Sequence, residues 1–171
     1  DCRRAAARLS DRGKHHALVT TLATIGYQGT TVPAFRRALE DAGIELLVDI
    51  RAVASSRLPG FSKTRLAANV DAVGIDYLHL RDLGTPADGR AAARAGHHAE
   101  MRKIFLAHLK TEGATAALDE LEQLVRSKRR VCVLCFEADP MHCHRTIVAE
   151  SLAKRMRLSI VHLRPTAEPP D

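Results

Sequence analysis

The sequence predicts an α/β fold: a single domain with a mainly parallel central sheet of about five strands and helices on both faces. Three observations lead there. Apolar runs of strand length alternate along the chain with stretches whose apolar residues recur at helical spacing. One run, IELLVDI, is almost unbroken in apolar residues, as a strand buried on both faces requires. Glycines punctuate the boundaries, at Gly26, Gly43 and Gly74.

Taken in order, LVTTLATIG reads as a first strand ending at Gly26. In TTVPAFRRALEDAG, Thr31 is placed to cap a helix, Pro33 suits its first turn, Phe35 and Leu39 share a face, and Gly43 stops it. IELLVDI is the second strand. After the basic loop RAVASSRLPGF, Ser62 can cap a helix carrying Leu66, Val70 and Val73 on one stripe. IDYLHL is the third strand, and RDLGTPADGR reads as a long turn-rich loop. Two amphipathic helices follow, one with Met101, Ile104, Phe105 and Leu109, the other with Leu118, Leu121 and Val125. VCVLCF is the fourth strand, 145–157 a helix aligning Val148, Leu152 and Met156, and SIVHL a fifth strand. The α/β domain thus spans 21–163. Residues 1–20 are expected to form a partly disordered extension, and 164–171 a frayed, proline-rich tail.

Composition narrows the function classes. The chain has 171 residues, 46% of them hydrophobic, enough for one domain with a real core. Aromatics make up 4% with no Trp, which argues against a base-stacking platform for single strands. A net charge of +6 points to an anionic partner, either a small molecule or nucleic acid, or else to a solvated basic surface. Four cysteines in a chain this long do not make a secreted disulfide framework. No apolar stretch reaches membrane-spanning length, so no membrane partner is expected and a cytoplasmic location is the default. The sequence names no cofactor and leaves the oligomeric state open.

In an open parallel sheet, ligands bind outside the carboxyl ends of the strands. Strand one ends in GYQG, strand two in DIR, and strand four in CFE leading to CHR, so three polar clusters fall at strand ends. From Arg51 to Asn69 there is no acid, while Arg51, Arg57, Lys63 and Arg65 are cationic and Ser55, Ser56 and Gly60 add donors. Such a loop suits phosphate or carboxylate recognition; the competing reading pairs Arg51 with Asp49 or Glu137 and leaves the rest solvated. Asp49 ends an apolar strand, and a buried carboxylate needs a partner. Arg51, two residues on and on the same face, is that partner, making Asp49 an orienting residue.

Strand alternation puts Cys135 and Glu137 on one face and Cys132, Leu134 and Phe136 on the other. The Cys132–Cys135 spacing is therefore a poor metal knuckle or redox pair, and Cys132 is a small core residue. Cys135 is read as core or as support for the site. Glu137, at the strand end, is placed for general acid or base work. Cys143, His144 and Arg145 fall in the first turn or two of a helix, where backbone donors and the helix dipole favour an anion or a thiolate. Arg145 would strengthen that, and His144 could activate the sulfur. A metal reading would draw on Cys135, Glu137, His142, Cys143 and His144. Adjacent residues of HCH diverge, however, and no metal ligand is assigned.

In their order, TIGYQG, VDIR with SSR, YLHLRDLG and LCFEADPMHCHR resemble the family known as domain of unknown function 488, over roughly residues 21–163. The resemblance implies a single α/β domain and leaves the reaction open. Its motif residues fall on Gly26, Tyr27, Asp49, Arg51, Ser56, Arg57, Glu137, Cys143, His144 and Arg145. Where the family usually carries a proline after D-x-R, this chain has AVAS.

The functional expectation is an enzyme, a hydrolase or group-transferase, with a pocket for a phosphate or nucleotide-like anion. Tyr27, Arg51, Ser56, Arg57 and Arg145 would bind the anion, while Glu137, Cys143 and His144 would carry the chemistry beside the orienting Asp49. A non-catalytic nucleic-acid-binding module is the alternative, and a metal-dependent enzyme or sensor a further one.

Overall fold

The computed structural model describes residues 19–166 apart from residue 128. The apolar runs form five strands: β1 (Thr20–Gly26), β2 (Leu46–Asp49), β3 (Asp76–His79), β4 (Val131–Cys135) and β5 (Leu158–Leu163). They make one sheet in the order β3-β2-β4-β1-β5, every pair parallel. The segments 1–18 and 167–171, which hold most of the expected extension and tail, lie outside the described residues.

Helices α1 (Val32–Asp41) and α2 (Lys63–Asp71) cover one face, burying Phe35, Leu39, Leu66 and Val70 against Ile25, Leu47, Cys132 and Leu134. Helices α4 (His98–His108), α5 (Glu112–Arg126) and α6 (His144–Ala153) cover the other. There Met101, Phe105, Leu121, Val125 and Leu152 pack on Leu22, Val48, Val133 and Cys135. Alternation along β4 is thus as the strand period requires, with Cys132 and Cys135 on opposite faces.

The caps follow the local chemistry. Thr31 accepts from Ala34 N at 3.3 Å. Ser62 also occupies the cap position of its helix but spends its hydroxyl elsewhere, accepting from Ser56 N at 3.0 Å and donating to Ser56 O at 3.2 Å. That exchange folds the basic loop back on itself.

One element departs from the expectation. The stretch read as a loop, RDLGTPADGR, contains a 3-10 turn (Arg81–Leu83) and enters α3 (Ala87–Arg94). Gly89 lies inside that helix because α3 sits close on α4. A Cβ there would stand 2.6 Å from Thr85 Cγ2 and 3.3 Å from Ile104 Cγ2. The glycine marks close packing rather than a break.

The three central strands β2, β4 and β1 are consecutive in the sheet, and their carboxyl ends align: Gly26 pairs with Cys135, and Asp49 with Leu134. The polar strand ends are therefore neighbours. Among the described residues no helix is long and apolar enough to cross a membrane.

Candidate active site

Beyond these strand ends lies a cleft of about 690 Å³, within the range of small-molecule sites. Tyr27 follows β1, Arg51 to Leu58 follow β2, Phe136 and Glu137 follow β4, and Arg90 and Arg94 reach in from α3. His144 completes the wall. A second chamber of about 440 Å³ shares Arg90, Arg94, Glu137 and His144 and continues toward His98 and His142, whose rings stack 4.2 Å apart.

Asp49 and Arg51 are both buried and bind each other bidentately. Tyr77 Oη donates to Asp49 Oδ2 at 2.5 Å, and the Arg51 backbone N–H donates to Oδ1 at 3.1 Å. Arg51 Nη1 also donates to Tyr27 Oη at 3.0 Å and to the Phe61 carbonyl at 2.8 Å. Burial alone would lower the Arg51 pKa, but the Asp49 carboxylate more than reverses this and raises it. Burial, with the bond to Asp49, pushes the Tyr77 hydroxyl up. Asp49 thus holds Arg51 at the cleft floor. Tyr27 is stacked on Phe61, ring centroids 4.6 Å apart, so its orientation is fixed as well.

Arg145 is fully buried and does not line the cleft, which corrects the expectation that it binds the anion there. Its guanidinium is turned inward to carbonyls: Nη1 donates to Glu137 O and Nη2 to Ala138 O at 3.1 Å. Nε donates to Thr24 Oγ1 at 3.2 Å, and the Thr24 hydroxyl lies 2.7 Å from His162 Nδ1. Burial lowers the Arg145 pKa, with Glu137 opposing. Arg145 clamps the loop after β4 onto β1. The clamp needs Gly26, where a Cβ would stand 1.8 Å from the Glu137 carbonyl oxygen.

Behind Glu137 lies a sulfur pair. Cys135 and Cys143 form a disulfide, so the Cys143 thiol expected as an activated nucleophile is oxidised in this state. Both residues are buried. Glu137 Oε2 lies 2.8 Å from Cys135 Sγ, and desolvation raises the Glu137 pKa above the ordinary carboxylate range. His144 Nε2 lies 3.0 Å from the Ile50 carbonyl, an acceptor, so Nε2 carries the hydrogen. Burial holds the ring neutral, pushing its pKa down to about 4. The remaining lone pair, on Nδ1, faces Cys143 Sγ at 3.9 Å. Cys143 is in extended backbone (φ −124°, ψ 142°) as the cap of α6, and its Sγ accepts from Arg145 N at 3.4 Å. This backbone lets neighbouring residues 143 and 144 converge. His142 diverges, as the HCH spacing implies, and stacks on His98.

Among the expected residues, Tyr27, Arg51, Ser56, Arg57, Glu137 and His144 meet at the cleft. Asp49 supports it, Cys143 stands behind it, and Arg145 lies beneath. Arg65 lines a separate groove with Pro59 and Asn69. Sequence reasoning missed Arg90, Arg94 and His98. The available signal was the pair of arginines four apart in RAAAR, one face of a helix.

Fold and site together define a parallel α/β domain with a basic cleft at the carboxyl edge of its sheet. The model of the family described as Domain of unknown function DUF488 matches residues 31–152, and the chain belongs to that family. No curated protein and no solved structure matches the chain.

Proposed function

We propose that the protein is an enzyme, of hydrolase or group-transferase type, acting on a small phosphate-bearing or nucleotide-like anion. One observation carries this reading: Arg57, Arg90 and Arg94 line the same cleft as Glu137, and Glu137 is the single carboxylate in that lining. Among the described residues neither Arg57 nor Arg94 has an acidic partner, so their charge is available to a ligand. Four of the five guanidinium N–H groups of Arg51 are taken by Asp49, Tyr27 and Phe61, so it mainly shapes the floor and leaves the grip on substrate to other cations. Glu137, raised in pKa by burial, is placed to exchange a proton with a bound group.

The test is a thermal-shift and calorimetric panel of inorganic phosphate, pyrophosphate, nucleoside mono- and triphosphates and a short single-stranded oligonucleotide. A small anion should raise Tm in wild type and fail to do so in the Arg90→Ala, Arg94→Ala double variant. Absence of any shift in the wild type overturns the reading. Binding of the oligonucleotide alone, with a steep salt dependence, would replace it with the nucleic-acid-binding alternative.

A further inference from the structure

We propose that Cys135, Glu137, Cys143 and His144 form a mononuclear site for a zinc-type divalent cation when the Cys135–Cys143 disulfide is reduced. The four candidate ligand atoms, two sulfurs, one ring nitrogen and one carboxylate oxygen, lie within 4.8 Å of one another. Zinc bonds of about 2.0–2.3 Å place tetrahedral ligands about 3.3–3.8 Å apart, so small side-chain movements close the set around an ion. Two thiolates with an imidazole and a carboxylate form a donor set suited to zinc rather than to magnesium or calcium.

Three independent features prepare these residues. The Ile50 carbonyl takes the Nε2 hydrogen of His144 and leaves Nδ1, the nitrogen nearest Cys143, as the ligating atom. A backbone partner on the far nitrogen is the usual way a ligating histidine is oriented. The Arg145 backbone N–H donates to Cys143 Sγ at the amino end of the ten-residue α6, which favours thiolate over thiol. The Arg145 guanidinium lies 3.9 Å from Cys135 Sγ. Two thiolates and the Glu137 carboxylate around a dication leave one negative charge, and this buried cation offsets it. The strand, the loop and the helix that carry the ligands are tied together by the Arg145 clamp, whose bonds to Thr24, Glu137 and Ala138 do not involve either sulfur.

The disulfide is then the oxidised, ion-free form of the site. Reduction breaks the S–S bond with two electrons and gives two thiols. A phosphine supplies the electrons and becomes its oxide while water supplies the oxygen and the two protons, whereas a dithiol supplies electrons and protons and becomes a disulfide. Binding the cation forms two metal–sulfur bonds and releases those two protons. Glu137 and His144 also line the cleft, so the ion would be reached through Glu137. This inference stands apart from the anion reading, because ion binding is read without any substrate.

The experiment uses the full chain in a Cys2→Ser background, reduced anaerobically with a phosphine and titrated with Co2+. The expected result is one equivalent bound, with sulfur-to-cobalt charge transfer in the near ultraviolet and the visible bands of a tetrahedral ion. The oxidised protein should show neither. Zn2+ should displace the Co2+. Cys143→Ser should remove most of the charge-transfer intensity. Glu137→Gln, whose side chain is only half-buried, should keep the band but weaken Co2+ affinity about tenfold or more. Cys132→Ala should change nothing. No sulfur-to-cobalt band in the reduced protein, the same band in the oxidised protein, or loss of the band in Cys132→Ala would each overturn the site.

Discussion

Arg51 donates from Nε to Asp49 Oδ1 at 2.9 Å and from Nη2 to Asp49 Oδ2 at 2.6 Å, a two-point ion pair enclosed by protein. Removing one member strands the other's charge, so Asp49→Ala should cost about 3–5 kcal/mol of unfolding free energy. Tyr77→Phe, which deletes one neutral donor to the same carboxylate, should cost about 1.5–3 kcal/mol, the range for a hydrogen bond to a charged group. Urea unfolding of the two variants measures both. An Asp49→Ala protein as stable as wild type would show that the pair contributes nothing to the fold.

Gly26 faces the carbonyl that Arg145 binds, and a methyl group there has no space. Gly26→Ala should therefore displace the loop after β4, lowering stability by about 1–3 kcal/mol or more. Because Glu137 rides on that loop, ligand affinity should fall together with Tm. A Gly26→Ala protein with unchanged melting and unchanged anion binding would contradict this geometry.

Arg94 is exposed at the cleft rim. Arg94→Glu should leave stability within about 0.5 kcal/mol. The same change should weaken binding of a phosphate-bearing ligand about tenfold or more, since a charge-assisted hydrogen bond is lost and a repulsion gained. Calorimetry beside a thermal melt separates the two effects.

Thiol reactivity follows from the sulfur arrangement. Cys132 is wholly buried, and desolvation pushes its thiol pKa up, so it should resist alkylation in the folded protein. Without reductant, no cysteine of residues 19–166 should be labelled before unfolding, and Cys132 alone after it. With reductant in denaturant, Cys132, Cys135 and Cys143 should all react. Peptide mapping by mass spectrometry reads the sites directly.

The strands were legible because burial on both faces leaves nearly pure apolar runs, as in LLVD and VCVLC. Their polar ends could be read as one edge because parallel strands must point the same way. Helix α3 was not legible: Gly84, Pro86 and Gly89 read as turn residues, yet Gly89 answers to the nearness of Ile104, a tertiary fact. Arg90 and Arg94 were lost with it. Helix starts attract anions, so the position of Arg145 in the sequence suggests a ligand-binding role. Which way its side chain turns depends on the Glu137 and Ala138 carbonyls, whose position the chain fixes only on folding. The meeting of Cys135 with Cys143 likewise depends on the path of the loop between them.

The two sides of the cleft differ in how they are supported. Glu137 and His144 are anchored to the ends of the three central strands, Glu137 to β4 and β1 through Arg145 and His144 to the end of β2 through the Ile50 carbonyl. Arg90 and Arg94 stand on α3, an eight-residue helix that packs mainly on α4 outside the sheet. The wall bearing Glu137 and His144 is therefore the stiffer one and the wall bearing Arg90 and Arg94 the more compliant; on the proposed function, reacting groups would sit on the first and ligands of different size would be accommodated by the second. Differences in specificity among chains of this architecture should concentrate in α3 and its approach, while the sulfur-bearing wall keeps one shape.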